Sequence, residues 1–120
     1  MKKHILIVDD EKLVAWSIQR LLVKRGCKVE VANHIPEALD IISRMTFDLV
    51  ITDYLMPDGK GSDVVHAVRS TCPSCRVIVM SGAISQKGID ELKADGYMEK
   101  PFILPELLAL IERVCPEAKA

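Results

Sequence analysis

Phe47-Asp48-Leu49-Val50-Ile51-Thr52-Asp53-Tyr54-Leu55-Met56-Pro57 is an apolar run of strand length that ends on a carboxylate and is stopped by proline. Leu49, Val50 and Ile51 read as a strand buried on both faces, because consecutive apolar residues leave neither side for water. The chain then leaves the sheet at Asp53, which sets that carboxylate on the rim, where ligands sit in open α/β sheets. An isolated strand-end aspartate is most often a turn or helix-cap residue. The weight Asp53 carries therefore depends on what other strand ends bring to it.

Working outward, strand and helix periods alternate along the whole chain. Ile5-Leu6-Ile7-Val8 is a buried strand closed by Asp9-Asp10, and the helix Lys12–Lys24 follows with Val14, Ile18, Leu21 and Leu22 on one face and Gly26 after it. Lys28-Val29-Glu30-Val31-Ala32 alternates as an edge strand does, and Pro36 opens a helix with Leu39, Ile42 and Met45 inward. Beyond Asp53, Pro57-Asp58-Gly59-Lys60-Gly61 reads as a turn and Ser62 as the cap of a helix carrying Val64, Val65 and Val68. Arg76-Val77-Ile78-Val79-Met80 is a fourth strand ending at Ser81-Gly82. A short, Gly88-containing helix is expected around residues 85–94, and Gly96-Tyr97-Met98-Glu99-Lys100 is a fifth strand stopped by Pro101. Pro105 starts a last helix with Leu107, Leu108, Ile111 and Val114 as its stripe.

Five strand-helix repeats predict an α/β fold, a single doubly wound five-stranded parallel sheet flanked by five helices, since parallel neighbours need crossover connections. Periodicity does not decide the strand order. Parallelism does have a consequence for chemistry: the C-terminal strand ends share one rim, which would bring Asp9, Asp10, Asp53, Ser81 and Lys100 together. Carboxylates so close repel and need positive charge. Lys100 supplies one unit, and a hard divalent cation such as Mg²⁺ with oxygen ligands suits the remainder. An aspartate in such a setting is a competent phosphoryl acceptor, because phosphoryl transfer needs mainly positioning and charge neutralisation.

Composition narrows the alternatives. At 120 residues, 49% hydrophobic and 28% charged, the chain fits one domain, residues 1–120, with 116–120 a tail or the start of a linker. A net charge of −1 argues against a nucleic-acid-binding surface. The absence of an apolar stretch of about 18 residues argues against a membrane span. The basic start, Met1-Lys2-Lys3-His4, leads into a short apolar run that meets Asp9-Asp10-Glu11 and not a cleavage site, so no signal peptide and a cytoplasmic location are expected. Cys72-Pro73-Ser74-Cys75 has redox spacing but precedes a strand instead of opening a helix, and Cys27, Cys75 and Cys115 are expected at the rim opposite Asp53. Gly59-Lys60-Gly61-Ser62 fails as a phosphate loop because Tyr54 stands at the upstream glycine position and Gly61 where Ser or Thr should follow the lysine. Leu55 replaces the second acid that a haloacid-dehalogenase-type phosphatase would need.

Four motifs in order, Ile5-Leu6-Ile7-Val8-Asp9-Asp10-Glu11, Asp53-x-x-Met56-Pro57-x-x-x-Gly61, Met80-Ser81-Gly82 and Tyr97-Met98-Glu99-Lys100-Pro101-Phe102, resemble a response-regulator receiver domain of two-component signalling over nearly the whole chain. The resemblance implies a flavodoxin-like (βα)5 fold with strand order 2-1-3-4-5 and a cis Lys100-Pro101 bond. It implies that Asp53 accepts a phosphoryl group from a sensor histidine kinase, and that Asp10 and Asp53 bind Mg²⁺ (or Mn²⁺) directly, Asp9 through water and Leu55 through its backbone carbonyl. Lys100 would pair with the phosphoryl group, and the Ser81 hydroxyl would swing to it while Tyr97 moves inward. The implied output is a repacked face of the fourth helix, fifth strand and fifth helix that acts on a downstream effector domain or protein, with a phosphorylation-dependent dimer among its forms.

On this reading the domain is not an enzyme acting on other molecules, although it assists its own phosphorylation and dephosphorylation. Trp16 resembles a feature of receivers that precede enhancer-dependent transcription activators. The stretch between Ser81 and Lys100 is about one helical turn shorter than is usual for the family. Leu55 and Ala83 flank the phosphoryl position without a group that orients water, so a slowly hydrolysing phosphoaspartate is expected. The alternative function is a phosphorylation-independent protein-interaction module that has kept the fold.

Overall fold

A computed structural model describes residues 3–82, 88 and 92–116. Five parallel strands, β1 (His4–Val8), β2 (Lys28–Ala32), β3 (Leu49–Asp53), β6 (Arg76–Ser81) and β7 (Gly96–Glu99), form one sheet in the order β2-β1-β3-β6-β7. Between β3 and β6 the chain adds a small antiparallel hairpin, β4 (Leu55–Met56) and β5 (Gly59–Lys60), where the sequence predicted only a turn. The hairpin's two strands shift the numbering away from the expected 2-1-3-4-5, although the five sheet members in chain order keep that succession. The described helices are α1 (Lys12–Lys24), α2 (Ile35–Arg44), α3 (Gly61–Thr71) and α4 (Leu104–Val114), four and not the expected five. The short helix expected around residues 85–94 falls largely outside the described residues.

Strand periodicity assigns the two layers. Leu6, Val8, Val50, Val77 and Val79 pack on Ala38 and Ile42 of α2 and on Val64, Val65 and Val68 of α3. Their neighbours Ile5, Ile7, Leu49, Ile51, Ile78 and Met80 pack on Ala15, Ile18 and Leu22 of α1 and on Leu107, Leu110 and Ile111 of α4. Every residue of β3 is buried, as its unbroken apolar run required. β2 lies at the sheet edge with its first residue exposed, in keeping with its alternating pattern.

Several local expectations change. Ser62 lies inside α3, not at its cap; the capping residue is Lys60, and no side chain bonds the helix end. Gly61 stands at the first helical position because nothing larger fits: an added Cβ would overlap the Asp53 carbonyl oxygen and lie 2.9 Å from the Tyr54 Cα. The inward face of α2 runs through Ile35, Ala38 and Ile42, leaving Leu39 and Met45 only partly buried. Leu110, not Leu108, completes the buried stripe of α4. That helix has Ile103 at its capping position and so no polar cap, but Glu106 reaches back to accept a 3.2 Å bond from the Ile103 N–H, so one half of a capping box survives.

Candidate functional site

Register brings the first two acids side by side. β1 pairs with β3 so that Val8 faces Thr52, and the next residue of each strand, Asp9 and Asp53, reaches the rim together. Period-2 alternation then aims three side chains the same way. Asp9 continues the Ile5, Ile7 row, Asp53 the Leu49, Ile51 row, and Lys100 follows Met98 just before the cis Lys100-Pro101 bond. All three leave the sheet toward α1 and α4. Among the described residues the buried polar or charged side chains are Asp9, Thr52, Asp53 and Ser81, and all four belong to this rim.

The Lys100 Nζ donates three hydrogen bonds of 3.1 Å each, to Asp9 Oδ2, Glu11 Oε1 and Asp53 Oδ2. Burial pushes the Asp9 carboxyl above the usual carboxylate range, opposed by the Glu11 N–H, which donates to Asp9 Oδ1 at 2.9 Å, and by the Lys100 charge. Burial likewise raises Asp53, with Lys100 pulling the other way and Asp9 adding repulsion. Burial acts to lower Lys100, yet the surrounding acids Asp9, Glu11 and Asp53 outweigh it and hold the ammonium well above its ordinary value. One cation is thus shared among more negative charge than it neutralises.

Asp10 joins the pair from a half-buried position. Carboxylate oxygens of Asp9, Asp10 and Asp53 lie within 4.8 Å of one another. Three carboxylates gathered this closely have the charge and the oxygen donors that suit one hard cation. Leu55, two residues past Asp53, lies in β4 of the hairpin and is 54% exposed. Ser81 ends β6, and its backbone carbonyl accepts from the Tyr97 hydroxyl at 3.0 Å and from the Lys100 N–H at 2.9 Å. Asp9, Asp10, Asp53 and Lys100 come together, while Ser81 stands at the end of the neighbouring strand with Tyr97 tied to its carbonyl. Ala83 lies outside the described residues.

A family model described as "Response regulator receiver domain" matches residues 5–112. The chain belongs to the response-regulator receiver family. It is 38% identical over 125 residues to "Response regulator MprA" of Mycobacterium sp. (strain KMS), covering 98% of this chain but 54% of that one. The receiver therefore spans about half the length of the curated relatives it matches. Among solved structures, the CheY-like receiver domain protein from Methanospirillum hungatei JF-1 superimposes with TM-score 0.90 at 29% identity, covering 98% of this chain and 97% of the other. A response regulator from Burkholderia pseudomallei, described with a phosphorylated aspartic acid, calcium ion and citrate, gives TM-score 0.83 at 25% identity, covering 97% and 70%. Receiver domains of two-component systems act as phosphorylation switches and bind Mg²⁺ at an acidic pocket, and this receiver has such a pocket at its rim.

Three participants escaped the sequence reading. Glu11 bonds Lys100, and only its place next to Asp9-Asp10 hinted at this. Asn33 Nδ2 donates to the Asp9 carbonyl at 2.9 Å, tying the end of β2 to the acidic turn. Asp58 was read as a turn residue; its carboxylate also accepts from the Ile35 N–H at 3.3 Å and faces His34 Nδ1 at 3.4 Å, joining the hairpin to the start of α2. None of the four cysteines is in a disulfide; Cys27, Cys75 and Cys115 are buried, and burial pushes Cys75 up to about 12, far from a reactive thiolate.

Proposed function

We propose that this domain is the phosphoacceptor switch of a two-component regulator, with Asp53 as the acceptor for a sensor histidine kinase. The observation that carries the proposal is the 3.1 Å bond between Lys100 Nζ and Asp53 Oδ2 beside the buried Asp9. An Asp53 carboxylate oxygen attacks the phosphorus of a phosphohistidine. The P–N bond breaks with its electron pair returning to the imidazole, and the new P–O bond leaves an acyl phosphate on Asp53. Lys100 stands where it can donate to a phosphoryl oxygen. Water attacking the same phosphorus later releases phosphate and restores the carboxylate, so the domain acts on itself and is not an enzyme toward other molecules.

The carboxylates of Asp9, Asp10 and Asp53, with the Leu55 carbonyl, would hold Mg²⁺ or Mn²⁺, which when bound supplies positive charge to the transferring group. The Ser81 hydroxyl turns to the phosphoryl group, and the bond from Tyr97 to the Ser81 carbonyl carries that movement toward β7 and α4, part of the output face. The effector lies in a partner or in sequence outside these residues, and the switch works in the cytoplasm. Among the described residues no helix is long and apolar enough to cross a membrane.

The test is incubation with Mg²⁺ and acetyl phosphate, or a beryllium fluoride mimic, followed by intact mass and Tyr97 fluorescence. Uptake of one phosphoryl group that Asp53→Ala abolishes supports the switch. No mass gain and no spectral change would instead favour a phosphorylation-independent interaction module.

A further inference from the structure

We infer that Asn33 is a positioning residue for the divalent cation, because its side-chain amide holds the peptide from which Asp10 projects. The inference rests on the reading that Asp9, Asp10 and Asp53 hold Mg²⁺. Asp9 and Asp53 need little further support, since strand register sets both on the rim and both are buried. Asp10 is different. It lies between β1 and α1, outside the bounds of either element, so the two peptide units that flank it set its direction.

Both units are held. After Asp10, the Glu11 N–H donates to Asp9 Oδ1 at 2.9 Å; before it, the Asp9 carbonyl accepts from Asn33 Nδ2, also at 2.9 Å. A peptide unit is planar, so a carbonyl fixed in place also fixes the N–H that follows it, and with that the start of Asp10. Asn33 can act in this way because it is anchored itself. The Ala32 carbonyl before it accepts the Asp9 N–H at 3.1 Å, and the Asn33 N–H donates to Oε1 of Glu37, in the first turn of α2, at 2.9 Å. One side chain thus carries the rigidity of β2 and α2 to the acidic turn.

A partner that only satisfied the Asp9 carbonyl would serve stability, whereas a positioning partner also serves geometry, and the two differ in which cations feel the loss. Mg²⁺ demands near-ideal octahedral ligands at about 2.0–2.1 Å, while Ca²⁺ accepts oxygens at about 2.3–2.6 Å in a flexible arrangement. Without Asn33 the turn must be ordered as the cation binds, a cost that falls more heavily on Mg²⁺.

Asn33→Leu keeps the size and neutrality of the side chain and removes the donor. Titration of the unphosphorylated domain with Mg²⁺ alone, and separately with Ca²⁺ alone, followed by amide NMR shifts, should show Mg²⁺ binding weakened about tenfold, the lower end of what loss of an outer-shell partner costs, and Ca²⁺ binding weakened clearly less. Asn33→Ala, which adds no bulk, should shift both cations in the same direction, and it carries the test if thermal unfolding of the metal-free protein shows that the leucine variant does not fold. Parent-like Mg²⁺ affinity in a folded variant overturns the role of Asn33 and leaves the cation site standing. Equal losses for Mg²⁺ and Ca²⁺ also overturn it, by showing that the bond supports the fold and not the geometry of the site. A parent that binds neither cation removes the metal reading and the positioning role with it.

Discussion

The Tyr97 hydroxyl donates a 3.0 Å hydrogen bond to the backbone carbonyl of Ser81, joining two neighbouring strands where the sheet meets the acidic pocket. The same carbonyl accepts the Lys100 N–H. Burial raises the phenol above its ordinary value, so the bond persists through neutral and mildly alkaline pH.

Tyr97→Phe keeps the ring and deletes this bond. It should cost roughly 0.5–1.5 kcal/mol of stability in urea unfolding, the usual worth of one hydrogen bond, and it should leave acetyl phosphate uptake near the parent rate. A large loss of uptake would mean that the bond shapes the acceptor site itself, not only its connection to β7.

Asp53→Asn should make the metal-free domain more stable. The folded Asp9 and Asp53 carboxyls lie above the reference value of 3.8, so between 3.8 and their raised values the folded state binds more protons than the unfolded one. Stability therefore falls as pH rises through that window, and the penalty persists at neutral pH. Removing one acid relieves it, by roughly 0.5–2 kcal/mol. Thermal unfolding at pH 7 without metal measures this, and adding Mg²⁺ should stabilise the parent much more than the variant.

Lys100 titrates with the opposite sign. Its folded value lies above 10.5, so the stability that it contributes is present in full below about pH 10.5 and is lost only as pH rises through the folded value. Lys100→Ala should destabilise the metal-free domain at pH 7 because it strips the cation from Asp9 and Asp53, and Mg²⁺ should restore much of the loss.

Leu55 is exposed beside the pocket and has no group with which to orient water. Leu55→Asn should shorten the phosphoaspartate lifetime several-fold, as expected when a side chain positions the attacking water. An unchanged decay, followed by mass after removal of the donor, would show that this position does not govern hydrolysis.

Gly61→Ala should cost roughly 1–3 kcal/mol, typical of a side chain forced into filled space. The added methyl meets the Asp53 carbonyl oxygen, so the β3 end and the hairpin must move apart. Uptake should fall along with stability, whereas Gly82→Ala, whose nearest neighbour would be 3.6 Å away, should be nearly neutral in stability.

The order of strands and helices was legible because it depends on local period. Unbroken apolar runs at residues 5–8 and 49–51 became buried strands, and the stretch Lys12–Lys24 formed its helix with the bounds read from its pattern. That Asp9, Asp53 and Lys100 share one rim followed from parallelism, since strands running one way end together; register and side-chain alternation then bring them into contact. What local pattern left out concerns contacts between elements. Leu110 took the place expected of Leu108 because burial on α4 depends on where β7 presses, and Gly96 lets that helix approach so closely that an added Cβ would lie 3.0 Å from Val114 and 3.1 Å from Leu110.

The sequence by itself determined the architecture and the chemistry brought to one edge, because hydrophobic period and strand direction are properties of the chain read along its length. Tertiary structure decided how the charge is shared: Lys100 divides its three protons among Asp9, Glu11 and Asp53, Asn33 holds the acidic turn, and Asp58 fastens the hairpin to α2. Those partners are up to 91 residues apart. A hydrogen bond depends on distances of about 3 Å, and only the packed register sets them.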